Sequence, residues 1–401
     1  MCIRDRANVK CFLMKVLVLG GSGGMGRFAS RAISSFESIS LMTIADLNTE
    51  AVKEFADSFK NKKIIGMGLD VLDSEALRSL LTKHDVVLNL TGPFFKFAYP
   101  ILEAALEENC HYLDICDDWE PTEKMFTLNE LAQEKNKTAI IGLGASPGIT
   151  NLLALKAMTE LDEVKKVYTG WDISSAEPEE ESSQSDVNAA MVHGIEQMVG
   201  KVKVFINNKF QLVRPLKRVD INYPEIGNFK VSIFGHPEAI TFPHHYPEIS
   251  ESLNLMHGDD ASFRFIFKIL RFFIEVKLLP KNTAARIIHW LETKNSNVSK
   301  DSVNSLPGVY GLAQGLKNGT KTNVAVTLDS SNDMLEKMSM GEATGYPLAC
   351  GLKMLIEGKL NKFGVLAPEA CGIDPDNFFQ ELGGFLGHGD SLKTIVSRES
   401  V

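Results

Sequence analysis

A chain of 401 residues, 44% hydrophobic and 23% charged, has the length for two domains with cores of their own and the composition of a globular protein. Its formal charge of −9 argues against nucleic acid or an anionic membrane as the main partner, because a net-negative field repels both. The cysteines Cys2, Cys11, Cys110, Cys116, Cys350 and Cys371 match neither a disulfide framework nor a zinc site, so reduced thiols in a cytoplasmic setting are expected.

Residues 1–13 lack the apolar core and small-residue cleavage site of a signal peptide; they read as an extraneous segment, with Met14 the expected initiator. Lys15–Leu19 is an apolar run that leads straight into Gly20-Gly21-Ser22-Gly23-Gly24-Met25-Gly26. Gly21, Gly23 and Gly26 fit G-x-G-x-x-G: one glycine for the tight turn, one for backbone approach to a pyrophosphate, one for close packing of helix on strand. The helix that starts there offers free N–H groups and a partial positive charge to phosphates. A second apolar run, Ile39 to Ala45, ends in Asp46, where a carboxylate can accept bonds from both hydroxyls of an adenosine ribose. Asp46 repels a ribose 2′-phosphate and Leu47 brings no arginine to offset it, so NAD is favoured over NADP, with Lys53 the nearest alternative phosphate partner.

Strands are expected at Lys15–Leu19, Ser40–Ala45, Lys63–Leu69, Asp85–Leu90, His111–Ile115 and Thr138–Ile141. Asn48, and Asp73 or Ser74, are expected to cap intervening helices. Near-continuous apolar strands suit a parallel sheet covered on both faces, so residues 14–148 read as a doubly wound α/β dinucleotide-binding (Rossmann) domain. Ligands of such a domain sit beyond the carboxyl ends of its strands. Asp70 there can bond the adenine amine, and Thr91-Gly92-Pro93 brings backbone to the nicotinamide-side ribose and phosphate. The turn Gly144-Ala145-Ser146-Pro147-Gly148 offers amides to the nicotinamide carboxamide, with Pro147 and Gly148 fixing the start of the next helix. His111 to Asp118 packs several ionisable groups at one strand end; Asp114, Asp117 and the nearby Lys96 are the candidate catalytic groups, while Asp118 suits a helix cap.

From 149 to about 335 the rhythm changes to an α+β substrate and dimerisation domain with a mixed or antiparallel sheet. Helices are expected at Ile149–Leu161, Asp186–Val199, Ser262–Leu279 and Lys281–Thr293, and strands at Val164–Ile173, Lys201–Ile206, Asn228–Phe234, Ala239–Phe242 and Asn323–Leu328. An acidic loop, Glu177–Ser183, interrupts them. Arg214, Lys217 and Arg218 are candidate clamps for a substrate carboxylate, with Ser146 a further substrate contact. His193 is a candidate acid or base. His236 and the His244-His245 pair lack a ligand triplet, so no metal is expected. In Ser262–Leu279 a single polar stripe, Arg264, Lys268, Arg271 and Glu275, runs along a helix full of phenylalanine; it suits burial, a dimer interface or peripheral contact with a membrane. Residues 336–401 are expected to return helices to the first domain.

The set Gly21-x-Gly23-x-x-Gly26, Ala45-Asp46, Asp70, Asn89-Leu90-x-Gly92-Pro93, Tyr112-x-Asp114 and Gly144-x-x-Pro147-Gly148-x-x-Asn151 resembles the saccharopine dehydrogenase-like oxidoreductase family. Ala343-Thr344-Gly345-Tyr346-Pro347, Gly358, Gly364-Val365 and Pro368-Glu369 are similar to its closing segment. The resemblance spans about Met14 to Leu382. It implies a Rossmann domain with an inserted substrate domain, a homodimer, and NAD(P)-dependent chemistry on a carbon–nitrogen bond of an amino-acid or polyamine derivative through an imine. Ser146 stands where the family has an aspartate, and Leu47 where NADP users often have arginine. Alternatives on the same scaffold are an enoyl or lipid-linked reductase and a non-catalytic NAD(P) sensor.

Overall fold

The computed structural model describes residues 13–173, 189–259, 261–294, 305–329, 338–386 and 392–401. Residues 1–12 of the segment expected to be extraneous, the acidic loop Glu177–Ser183, the start of the helix expected at Asp186–Val199, and Cys2 and Cys11 lie outside them.

The first half alternates strand and helix. In order these are β1 (Met14–Leu19), α1 (Gly24–Ile33), β2 (Ile39–Asp46), α2 (Thr49–Ser58), β3 (Ile64–Gly68), α3 (Ser74–Leu81), β4 (Val86–Asn89), α4 (Phe94–Glu107), β5 (His111–Asp114), α5 (Trp119–Met125), α6 (Asn129–Glu134) and β6 (Thr138–Ile140). Val16 to Leu19, Val86 to Leu88 and Tyr112 to Leu113 are fully buried, as a sheet covered on both faces requires. Asn48 and Asp73 cap α2 and α3 through Ala51 N and Ala76 N, at 3.1 and 3.0 Å. The six strands are parallel in the order β3-β2-β1-β4-β5-β6. The chain reverses direction across the sheet between β1 and β4, and their carboxyl ends open the crevice where such sheets bind nucleotides.

The second half holds α7 (Ile149–Thr159), β7 (Glu163–Asp172), α8 (Ala189–Gln197), β8 (Val202–Ile206), β9 (Lys209–Val213), β10 (Arg218–Tyr223), β11 (Gly227–Phe234), α9 (Glu238–His245), β12 (Glu251–His257), α10 (Ala261–Glu275), α11 (Lys281–Lys294), β13 (Val309–Lys317) and β14 (Thr320–Leu328). These strands form a mixed sheet in which β7 and β12 pair in parallel and the other pairings are antiparallel. Ala239–Phe242, expected as a strand, lies inside α9. An apolar run of four residues carries no usable period, and burial of Glu238 through Pro243 shows that α9 is enclosed on all sides.

The last segment is α12 (Met340–Ile356), β15 (Gly364–Leu366), α13 (Pro375–Phe385) and β16 (Thr394–Ser400). α12 packs on α1, where a Cβ on Gly345 would come within 2.7 Å of the Met25 carbonyl oxygen. β15 extends the first sheet beside β6, whereas β16 crosses to the second sheet and pairs with β14. The expectation of helices alone in this segment is therefore corrected: two strands tie it to both sheets. α7 lies across the second sheet so tightly that a Cβ on Gly311 would meet Ala154 N at 2.0 Å.

Candidate active site

The glycine turn closes over the end of β1. Gly20 takes φ +70, a left-handed conformation that favours glycine, and a Cβ there would meet the Leu90 carbonyl oxygen at 2.7 Å. A Cβ on Gly26 would stand 2.1 Å from the Gly20 carbonyl oxygen, so the first turn of α1 touches the loop that precedes it. Gly23 and Gly24 are exposed, and Gly23 caps α1 without a side chain of its own. That leaves the first N–H groups of α1 facing outward at the positive end of the helix. Asp46 is half-buried; it accepts from Ser22 Oγ at 2.6 Å and from Leu47 N at 2.8 Å, which holds its carboxylate beside the turn. Thr91 donates its backbone N–H to Asn89, while its buried Oγ1 has no partner. An orphaned hydroxyl beside an exposed glycine turn fits a dinucleotide's ribose or phosphate oxygens.

Other predicted contacts are used differently. Asp70 is exposed and accepts from Leu72 N at 2.9 Å, closing its own turn. Gly144 N donates to the Pro147 carbonyl and Gly148 N to Asn151 Oδ1, both at 2.8 Å, and all three predicted contacts Gly144, Pro147 and Gly148 are buried. The amides of Gly144 and Gly148 are thus satisfied within the turn, which carries Ser146 at its tip. Asp114 is wholly buried, accepting from Tyr112 Oη, Cys116 N and Gly142 N at 2.8, 3.0 and 2.7 Å. Burial pushes it up to about 6 although these bonds pull it down. Asp114 thus locks the ends of β5 and β6 together.

Two bridges join the domains at this edge. In the first, His193 on α8 lies 3.2 Å from Asp117 Oδ1 and 3.3 Å from Asp118 Oδ1. Burial lowers the imidazole, but the hydrogen bonds and charges of both aspartates outweigh it and push His193 up to about 11, so it is held as a cation. Asp118 occupies the cap position of α5 yet makes no capping bond, because its carboxylate is turned to His193. These three residues are the one group among those described whose ligand atoms all lie within 4.8 Å of each other. With His193 protonated, one of the two carboxylate charges is balanced and the cluster keeps a net negative charge.

The second bridge was not expected. Ser146 Oγ donates to Glu238 Oε1 at 2.7 Å and lies 3.1 Å from His236 Nδ1 and 3.3 Å from Asn254 Nδ2. A hydroxyl has one proton, and it goes to the carboxylate; His236 Nδ1 must then be the donor to Ser146 Oγ. Trp171 stacks on His236 at 5.5 Å and donates to Asn254 Oδ1 at 3.2 Å. Glu238 is fully buried and also accepts from Thr150 and Asn254, while its second oxygen has no partner. Behind it Glu369, bonded to Asn151 at 2.7 Å, is pushed up to about 7 by burial, with the charge of Glu238 adding to that. His236, Glu238, Asn254 and Glu369 come from separate elements, and only His236 and Pro368-Glu369 had drawn notice in the sequence.

Lys96 is exposed in the first turn of α4, after the Gly92–Pro93 peptide. Arg218 is corrected as a substrate clamp: it forks onto Asp259 at 3.0 and 3.3 Å. Arg214 lines a groove with Leu216, Arg264 and Phe267 that includes none of the cofactor residues. His244 stacks on Phe126, and His245 accepts from Ala367 N, so both serve packing.

Residues 16–140 match the family model described as the saccharopine dehydrogenase NADP binding domain. Over 395 residues, 92% of this chain and 96% of the relative, the sequence is 22% identical to carboxyaminopropylagmatine dehydrogenase of Synechocystis sp.. Over 120 residues, 30% of this chain and 25% of the relative, it is 27% identical to the NADP(+), L-glutamate-forming saccharopine dehydrogenase of Schizosaccharomyces pombe. The chain thus resembles saccharopine dehydrogenase-like proteins, through the family model in its first domain and through one relative over nearly its whole length. The fold agrees: the apo L-Glu-forming saccharopine dehydrogenase of Saccharomyces cerevisiae superposes with a TM-score of 0.62 at 16% identity, covering 96% of this chain and 99% of that one. Like these relatives, the chain is an NAD(P)-dependent oxidoreductase. Among the described residues no helix is long and apolar enough to cross a membrane.

Proposed function

We propose that the protein is a dehydrogenase acting on a secondary amine of an amino-acid or polyamine derivative, through an imine, at the junction of its two domains. The observation that carries this reading is the Ser146, His236, Glu238 and Asn254 cluster, which the second domain holds against the β6 end of the nucleotide domain. A bound nicotinamide dinucleotide supplies the hydride acceptor or donor. His236 Nε2 takes or returns the proton at the substrate nitrogen, and Ser146 fixes its tautomer from the far side of the ring. Glu238 and the Asp117–Asp118 pair, only half balanced by His193, give the region a negative charge that favours a cationic amine, and the Synechocystis relative is a carboxyaminopropylagmatine dehydrogenase. Trp171 and the tight contact of α8 with the β5 end limit water. Lys96 is the remaining candidate for a substrate carboxylate.

The cofactor in this reading is NAD in preference to NADP: Asp46 sits at the ribose position, and Leu47, 72% exposed, adds no cation. A cytoplasmic setting is supported by four buried free thiols, Cys110, Cys116, Cys350 and Cys371, and a homodimer is retained as the family's habit. Fluorescence titration of NADH and NADPH, repeated with Asp46→Ala, tests the cofactor; amine oxidation screened at alkaline pH tests the reaction. Tighter NADH binding that is lost in the variant, followed by turnover of an amino-acid or polyamine substrate, is expected. Nucleotide binding without turnover of any amine would leave a sensor in its place.

A further inference from the structure

α10 carries two separate apolar stripes. Phe267, Leu270 and Ile274 are buried against the second domain. Phe265, Ile269, Phe272 and Phe273 are 67, 44, 59 and 41% exposed, and Val276 and Leu278 just beyond the helix are 45 and 73% exposed. At roughly 100° per residue the exposed stripe is centred about 150° from the buried one, so core packing does not account for it. Isolated apolar residues are ordinary on a surface; six within fourteen residues make a patch.

Between the two stripes runs the polar one, and it is basic. Arg264, Lys268 and Arg271 line a groove of about 560 Å³ together with Arg214 and Lys217 from the turn after β9. Arg271 donates to the Pro215 carbonyl at 3.3 Å, which aligns it with that turn. Asp259 is the carboxylate that answers these cations, and it is shared between Arg218 and Arg264, so positive charge remains in excess. Glu275 is the single acid on the helix face. A chain of net charge −9 thus concentrates five cations beside its most aromatic exposed face.

We infer that α10 and the adjoining turn form a docking face for an anionic lipid bilayer surface, with the Phe265, Ile269 and Phe272 stripe entering the headgroup boundary and the groove cations meeting lipid phosphates. A second copy of the chain suits this face less well, because two-fold pairing would set five cations against five. The inference is independent of the dehydrogenase reading: it places the enzyme at a surface whatever amine it oxidises.

The test is sedimentation of the full chain with phosphatidylcholine vesicles, with and without phosphatidylserine, at low and high salt. Binding to the phosphatidylserine vesicles, weakened by salt, is expected. Lys217→Gln with Lys268→Gln should weaken it roughly thirtyfold, taking about fivefold per cation near a charged surface. Phe265→Ser with Phe272→Ser should also release the protein, while NADH titration and circular dichroism stay as in the parent. Failure to sediment at low salt overturns the inference, as does binding indifferent to both double variants. A dimer seen by light scattering that Phe265→Ser with Phe272→Ser dissociates, without vesicle binding, also overturns it and assigns the face to a second copy.

Discussion

At the scale of single residues, the site turns on one hydroxyl. Ser146 stands where the family has an aspartate, and in this chain Glu238 supplies the carboxylate that Ser146 reaches at 2.7 Å. His236→Asn should lower turnover by roughly 10²- to 10⁴-fold with nucleotide affinity unchanged, as measured by steady-state kinetics beside fluorescence titration. An equal loss of NADH binding would mean that His236 shapes the fold and not the proton transfer. Glu369 makes a second prediction. Its carboxyl is raised from 4.5 to about 7 in the folded protein, so the native state holds a proton that the unfolded chain has released. Stability from this group is complete below about 4.5 and declines as pH rises through 7, by a total on the order of 2–3 kcal/mol. Glu369→Gln should flatten urea-denaturation stability between pH 5 and pH 8 and leave it higher at about pH 8. A variant whose pH dependence matches the parent would show that Glu369 does not hold that proton.

At the scale of elements, β1 to β6 were legible because each is an apolar run with a turn behind it; Asn48 and Asp73 were legible as caps because capping is local chemistry. α9 was not, since Ala239–Phe242 is too short to show a period and enclosure decided its form. β16 was not either, because pairing with β14 depends on a partner far along the chain. The contact of α12 with α1 offers a test at this scale. Gly345→Ala would drive a Cβ into the Met25 carbonyl and Ala29 N, at 2.7 and 2.8 Å, both backbone atoms of α1. The expected cost is roughly 1–3 kcal/mol by chemical denaturation. Weaker NADH binding should accompany it, since α1 presents its N-terminus to the pyrophosphate. Unchanged stability would show that the two helices have room to part.

At the scale of the whole molecule, two polar bridges hold the domains together: His193 with Asp117 and Asp118, and Ser146 with His236 and Glu238. His193, raised to about 11, keeps its charge in the folded protein until pH climbs through 11, while the stability it contributes is complete below its unfolded value near 6.5 and falls progressively between the two. The bridge should therefore persist across the alkaline range of an amine oxidation. His193→Gln should raise the substrate KM and loosen the domain junction in hydrogen exchange, without adding an ionisation to the kcat profile below about pH 9. Domain contacts unchanged in that variant would show that the second bridge and the Lys203–Glu123 ion pair suffice to hold the junction. The sequence by itself determined the nucleotide half, because a strand, a glycine turn and an acid at fixed spacing form a local device that needs little from elsewhere in the chain. It also carried the resemblance to saccharopine dehydrogenase-like proteins. Only the tertiary structure decided that Asp114 is buried among Tyr112, Cys116 and Gly142 while His236, Glu238 and Asn254 converge on Ser146. Which side chains meet across two domains depends on the packing of distant elements, and that geometry has no period or spacing in the chain to announce it.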